Sequence, residues 1–353
     1  MSEGPARPDD FLTALRARSA AAARRIVFPE ATEGRVLDAV ATIVREDLAR
    51  PVLIGPEAEL RAGLEARHLP DTSAGLGIEL RDPSDPALVA ETRNYISGRR
   101  AHRDDSPEAL DHMARDPLMQ AGTMVATGQA DGAVAGCVRT TADVVRAALV
   151  TIGLDDGFET LSSSFYMVFG AEHAVGPSVL TFTDAGVVPN PSPDQLAEIA
   201  HAAAVARGRV VGDEARVAFL SYSTAGSAEG PTVTAVRAAL DLFRARAPEI
   251  AADGELQGDA ALSVSVASRK APDSVVAGQA NVLVFPDLDA ANIAYKLVQQ
   301  LGGAVALGPI LQGLSRPFND LSRGAGAGDI VEVACITALM ATHASEGAGS
   351  EAG

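Results

Sequence analysis

Lysine is almost missing from this 353-residue chain: it occurs only as Lys270 and Lys296. Cysteine is equally scarce. Cys137 and Cys335 are too few and too far apart for a disulfide framework or a cysteine metal site. The six histidines show no HxxxH or HExxH spacing, so nothing in the sequence calls for a metal. No apolar run approaches the ~20 residues that span a bilayer. The opening MSEGPARPDDFLTALRARS lacks the apolar core of a secretory signal. The expectation is therefore a cytoplasmic protein with no membrane partner.

The formal net charge is −17. A balance that negative argues against nonspecific nucleic-acid binding, which needs many phosphate contacts. It also constrains any anionic ligand, whose site must be locally positive within a negative field. Placed arginines and helix N-termini must supply that charge, because lysine cannot. A GC-rich, arginine-favouring genome accounts for most of the arginine bias.

Hydrophobic residues make up 47% of the chain, enough for a sizeable core, and the length suggests two domains at about 150 residues each. After an N-terminal segment with helical potential, strand and helix alternate. RIVFPE, PVLIG, GIELRDP and DGAVAGC read as strands, with helical spacing of Val36, Val40 and Ile43 after the first and one long helical region from about 86 to 130. ETLSSSFYMVFG, SVLTFTDAG, RVAFLSYS, NVLVFPD and GAVALGPILQG form a second series, again interleaved with helices. This pattern predicts an α/β protein with mainly parallel sheet and flanking helices. The Gly/Ser/Glu-rich tail after His343 is expected to fray. In such sheets, ligands bind beyond the carboxyl ends of the strands, so the polar loops there are the ones to interrogate.

SYSTAGSAEGP (221–231) offers hydroxyls at Ser223, Thr224 and Ser227 before a helix. It reads equally well as an anion cradle and as a capping turn. It is not a P-loop, since the GxxxxGK[ST] lysine is missing. In FTDAGVVPNPSPDQL, Ser192 or Asp194 can cap the next helix, and Asn190 carries a weaker case for a ligand. GCVRTTADVVRAAL puts Arg139, Thr140 and Thr141 at a helix start, with Arg146 among apolar residues, where an arginine needs a partner or an anion. PDLDAANIAYK pairs Asp287 and Asp289 ahead of Asn292 and Lys296, a pattern open to turn chemistry or acid–base work. NDLSRGAGAGD differs because its parts are complementary. Capping explains Asp329 alone, but Asn319, Asp320, Ser322 and Arg323 add a hydroxyl and a guanidinium across one loop. Such a set can polarise a nucleophile, hold an anion and take a proton. A Ser–His alternative has neither a GxSxG elbow nor a histidine near Ser322.

GPILQGLSRPFNDLSRG followed by an Asp-led helix closely resembles the C-terminal signature of the phosphate acetyltransferase and phosphate butyryltransferase family. The resemblance extends through KAPDSVVAGQANVLVFPDLDAANIAYKLVQQLGGA, DGELQGDAAL, LSYSTAGSAEGP, VVPNPSPDQLAEIA, DGAVAGCVRTTADVVRAAL and RIVFPEATEGRVLDA, covering about Arg24 to Ala341. It implies a two-domain fold similar to isocitrate and isopropylmalate dehydrogenases, with an active-site cleft between domains. The first domain would comprise residues 1–156 plus 310–353 and the second 157–309. It implies the reaction acetyl-CoA + phosphate ⇌ acetyl phosphate + CoA in a homodimer, with CoA as a substrate and no metal or prosthetic group. The catalytic roles it implies are Asp329 as the base toward the CoA thiol, Ser322 as a transition-state hydrogen-bond donor and Arg323 on the acyl phosphate. It implies substrate binding by Arg100, Arg146, Ser223, Thr224, Ser227, Asn319 and Lys296.

Two departures stand out. Gln300 replaces an arginine common in relatives at this position, and the stretch from Thr141 through SSSFYM is also similar to the acetyltransferase-like domain fused to certain malic enzymes. A propionyl or butyryl phosphotransacylase, and a non-catalytic acetyl-CoA or acetyl-phosphate sensor, remain the alternatives. A dehydrogenase role would need a GxGxxG fingerprint, which the chain lacks.

Overall fold

The computed structural model describes residues 8–69, 77–170 and 175–341. The tail after His343 lies outside these residues, as does the start of the N-terminal segment. Contacts divide the chain into two compact units, one of residues 14–156 and 314–353, the other of residues 1–13 and 157–313.

The first unit opens with α1 (Pro8–Ala22), which the division cuts near its middle, and continues through β1 (Arg25–Phe28), α2 (Gly34–Arg45), β2 (Arg50–Ile54), α3 (Glu57–Glu65) and β3 (Glu79–Arg81). Val36, Val40 and Ile43 are buried along one stripe of α2, as their spacing predicts. The single helical region expected from 86 to 130 is three helices instead: α4 (Pro86–Arg99), α5 (Pro107–Ala114) and α6 (Pro117–Ala126). Pro107 and Pro117 each start a new helix, capped by Ser106 and Asp116, whose side chains accept from the N–H groups of Ala109 and Leu118. β4 (Gly132–Ala135) and α7 (Thr141–Thr151) complete the first pass.

The second unit contains β5 (Ser162–Val168), β6 (Val179–Thr183), α8 (Pro193–Val210), β7 (Arg216–Leu220), α9 (Pro231–Arg246), β8 (Ala251–Leu256), α10 (Gly258–Leu262), α11 (Val264–Lys270), β9 (Val282–Val284), α12 (Leu288–Gly302) and β10 (Val305–Gln312). Ser192 caps α8 in a reciprocal capping box with Gln195. The sheet order is β10-β5-β6-β9-β7-β8, and β5 runs against both of its neighbours while the other pairings are parallel. β8 escapes sequence patterning because AADGEL has too few apolar residues to announce a strand.

The chain then returns to the first unit. The expected crossing at residue 310 falls inside β10, which pairs with β5 through Gln312, so the return begins at Leu314. There β11 (Phe318–Asp320) and α13 (Ala327–Ala341) finish the fold. The first-unit sheet has the order β11-β4-β1-β2-β3 and is parallel throughout. α13 is buried from Ile330 to Ala341.

Inside the second unit, Arg207 is 1% exposed. It pairs with Asp213 through two 2.7 Å bonds and donates to Thr181 Oγ1 and to the carbonyls of Val179 and Asn281. Asp213 stays exposed, but removing the guanidinium leaves the buried Thr181 hydroxyl and two buried carbonyls without their donor, a loss of roughly 1–3 kcal/mol per group. Arg207→Ala should therefore shift the urea midpoint of this unit strongly downward; an unchanged midpoint would show that these bonds contribute nothing net.

Candidate active site

In the first-unit sheet the chain steps outward from β1 to β2 and β3, then crosses back to place β4 on the other side of β1. That reversal makes the carboxyl ends of β1 and β4 a topological switch point, where open α/β sheets bind ligands. Glu30 follows β1, and its carboxylate fills the turn after β4. Oε2 accepts from the N–H groups of Gly136 and Cys137 at 2.9 and 2.8 Å, and Oε1 from those of Val138 and Arg139 at 3.1 and 2.6 Å. Four backbone donors converging on one carboxylate form an anion nest occupied by the protein's own anion.

β11 lies beside β4, with Asn319 opposite Val134 and Asp320 opposite Ala135. In sequence NDLSRG reads as one polar loop, but its first two residues are strand residues. Asn319 is buried, donating to Thr337 Oγ1 at 2.9 Å and to Met340 Sδ at 3.6 Å. Asn319, expected as a substrate contact, thus has its amide engaged with α13 in the core. Ser322 and Arg323, directly after the strand, are exposed. Ser322 Oγ accepts from the Gly324 N–H at 3.3 Å. Asp329, the third residue of α13, is also exposed, and its Oδ2 accepts from the Gly326 N–H at 2.8 Å, as in half of a capping box.

Arg35, on α2, fixes this loop from behind. Its Nη1 donates to the carbonyls of Arg323 and Ala325, both at 2.9 Å, and Nη2 donates to that of Cys137 at 3.1 Å. Glu33 accepts from its Nε. Sequence reasoning missed Glu30 and Arg35. Both lie in FPEATEGR, yet the turns they fix are more than 100 residues away, so no local spacing marks them.

A cavity of about 840 Å³ opens in the same unit, lined by Arg99, Arg100, Arg103, Arg139 and Arg146 together with His102 and His112. This is the locally positive patch that an anionic ligand requires in an acidic chain. Asp105 takes Arg100 in a bidentate pair at 2.6 and 2.8 Å, and Asp116 takes Arg139 at 3.1 Å. Arg146 is two-thirds exposed, with Asp143 3.3 Å away. α4 delivers Arg99 and Arg100, and α7 delivers Arg146.

The remaining sequence candidates lie in the second unit. Ser223 is buried and donates to Glu255 Oε1 at 2.7 Å. Glu255 also accepts from the Gly226 N–H and from Arg237 Nε and Nη2. Arg237, chiefly, holds the Glu255 carboxyl down at about 2. The cradle expected to take phosphate holds the Glu255 carboxylate, with Ser223 among its donors. Thr224 is buried too, exchanging hydrogen bonds with Gln257. Ser227 is exposed, although its Oγ accepts from the Thr224 N–H. Asp287 caps α12 by accepting from the Ala290 N–H, which answers the paired-acid question in favour of turn chemistry. Lys296 is exposed on α12, its Nζ 5.0 Å from the Tyr295 ring centroid, and Gln300 is exposed one turn on. An apolar cavity of about 550 Å³ lies at the ends of β7 and β9 between Leu220, Tyr222, Phe285 and Pro286. Among the described residues no group of three His, Cys, Asp or Glu could hold a metal, and no described helix is long and apolar enough to cross a membrane.

The first unit thus belongs to the class of open parallel α/β sheets, with an arginine-lined cavity suited to an anionic ligand and an exposed Ser-Arg…Asp loop after β11. The chain belongs to the phosphate acetyl/butaryl transferase family, whose sequence profile matches residues 10–338. It is 42% identical to a phosphate acetyltransferase of Acetivibrio thermocellus over 333 residues, covering 94% of this chain and 98% of that one. It is 42% identical to a phosphate acetyltransferase of Paracoccus denitrificans over 318 residues, covering 90% and 95%. In structure it is similar to the EutD phosphotransacetylase from Staphylococcus aureus, with a TM-score of 0.85 and 36% identity over 95% of this chain and 99% of that one.

Asp320 supplies a prediction independent of catalysis. It is fully buried; Oδ2 accepts from Thr141 Oγ1 at 2.6 Å, while Oδ1 is buried without a hydrogen-bond partner. Burial, with a smaller contribution from the Glu30 charge, pushes its carboxyl up to about 6. A folded-state value above the unfolded one means that its contribution to stability is full below about pH 4 and is lost as pH rises through 6. A rise from about 4 to about 6 corresponds to roughly 3 kcal/mol. Asp320→Asn, which cannot ionise, should therefore gain melting temperature relative to wild type at pH 8 compared with pH 5. An equal difference at both pH values would contradict the burial argument.

Proposed function

We propose that the chain is a phosphate acetyltransferase, moving an acetyl group reversibly between CoA and phosphate. The observation that carries this is the exposed Ser322–Asp329 loop, anchored by Arg35 and sharing one sheet edge with the helix that brings Arg146 to the basic cavity. Relatives more than 40% identical over nine-tenths of the chain carry the same activity in their names.

In the direction of acetyl-CoA synthesis, Asp329 takes the proton from the CoA thiol. The thiolate attacks the carbonyl carbon of acetyl phosphate, the carbon–sulfur bond forms, and phosphate departs with the electrons of the carbon–oxygen bond. Ser322 donates a hydrogen bond to the developing oxyanion, and Arg323 neutralises the phosphoryl group. Asp329 sits in the first turn of α13, where the helix N-terminus adds positive potential beside an anionic transition state. Arg100 and Arg146 hold the CoA phosphates, Arg100 with donors left over from Asp105. Ser227, Thr224 and Lys296 make weaker claims as binding residues, because the first two serve their own loop. The chemistry needs no metal and no prosthetic group. A cytoplasmic homodimer completes the proposal and rests on family resemblance.

The test follows free thiol released from acetyl-CoA with and without phosphate. Wild type should show phosphate-dependent release, and Asp329→Asn should lose it. Equal release from both proteins would remove Asp329 as base, and binding without any release would favour a sensor. Ser322→Ala should lower kcat by about 10²–10³, the usual loss for one preorganised donor; near-wild-type turnover would exclude Ser322 from the mechanism.

A further inference from the structure

Asp320 lies between the two halves of the proposed site, and neither catalysis nor folding accounts for it. Its backbone ends β11, one residue before Leu321 and two before Ser322. Its Oδ2 receives the Thr141 hydroxyl, and Thr141 is the first residue of α7, the helix that carries Arg146 to the basic cavity. Its Oδ1 is pressed against the Gly136 backbone: a Cβ built on Gly136 would lie 2.1 Å from that oxygen and 2.8 Å from the Leu321 N and O atoms. Gly136 itself has φ +99°, a region that L side chains rarely adopt. The strand ends of β4 and β11 therefore meet with no room for slippage, and the carboxyl group spans from this contact to α7.

Burying a carboxyl with one unsatisfied oxygen works against folding. An apolar residue would pack there without that penalty, but it could not accept from Thr141. We infer that Asp320 is a positioning residue that registers the arginine-bearing helix α7 against the Ser322–Arg323 loop through the Thr141 hydroxyl. This rests on the proposed roles of that loop and of Arg146. Under it, CoA phosphates held by α7 and the donors of the loop are kept in one register by a single part-buried hydrogen bond. Displacing reacting groups by about 1 Å can cost on the order of 10²-fold in rate.

The test compares Thr141→Val, Asp320→Ala, the double variant and Asp320→Asn, with Ser322→Ala as reference. Thr141→Val is isosteric and sits at an exposed helix start, so it should keep the fold while losing some stability, because it strips Asp320 of this hydrogen bond. It should lower kcat at least about ten-fold while the KM for acetyl phosphate changes little. Asp320→Ala should do the same, and the double variant should fall no further, since both singles remove one bond. Asp320→Asn keeps an acceptor for Thr141 and should restore turnover to within a few-fold of wild type. Wild-type kcat in Thr141→Val, or additive losses in the double variant, would overturn the inference. If Ser322→Ala also turned over normally, the reading of the loop itself would fall; a large loss in Ser322→Ala beside none in Thr141→Val would sink the positioning role alone.

Discussion

The first-unit site depends on one carboxylate. At the switch point after β1 and β4 the chain exposes four consecutive backbone N–H groups, Gly136 to Arg139, and Glu30 satisfies all of them. Left unmet, the part-buried donors of Gly136, Cys137 and Arg139 would carry a desolvation cost. Satisfied, they hold the turn that starts α7 and gives Arg35 the Cys137 carbonyl it grips along with those of Arg323 and Ala325. The geometry of the Ser322–Asp329 loop follows from that anchoring.

The same device recurs in the second unit. Asp184 accepts from Ser163 and from the N–H groups of Gly186, Val187 and Val188, and Glu255 closes the Ser223–Gly226 turn. Each is a strand-end turn of the kind that binds phosphate in many α/β proteins, and each is filled from within. An acidic chain thus uses carboxylates as structural anions, which leaves external anions to the arginines. Five of those converge on one cavity, two of them already in bidentate pairs with Asp105 and Asp116. The pairs orient the guanidinium groups and temper their charge, so a ligand phosphate meets preorganised donors.

Much of this was legible in the sequence. Strand–helix alternation predicts an α/β fold with mainly parallel sheet, and the Ser322, Arg323 and Asp329 pattern singles out the loop that the structure exposes. What stayed hidden has a common physical origin: roles set by distant partners. Asn319 and Asp320 look like loop residues because three residues are too short a strand to show a period, and only pairing with β4 buries them. Ser223 looks like a ligand hydroxyl until Glu255, 32 residues on, takes it. Glu30 and Arg35 act on segments 102 to 290 residues away, beyond any local motif.

Amide hydrogen exchange at Gly136 to Arg139, followed with turnover in wild type and Glu30→Gln, tests the organising role of that carboxylate most directly. Glutamine keeps the shape but offers one acceptor oxygen where the carboxylate offers two. Exchange should be slow at these four amides in wild type and faster at two or more of them in the variant, with a matching fall in kcat and the fold retained. Unchanged protection and unchanged turnover would contradict that role, leaving Glu30 as an incidental neighbour of a turn that holds itself.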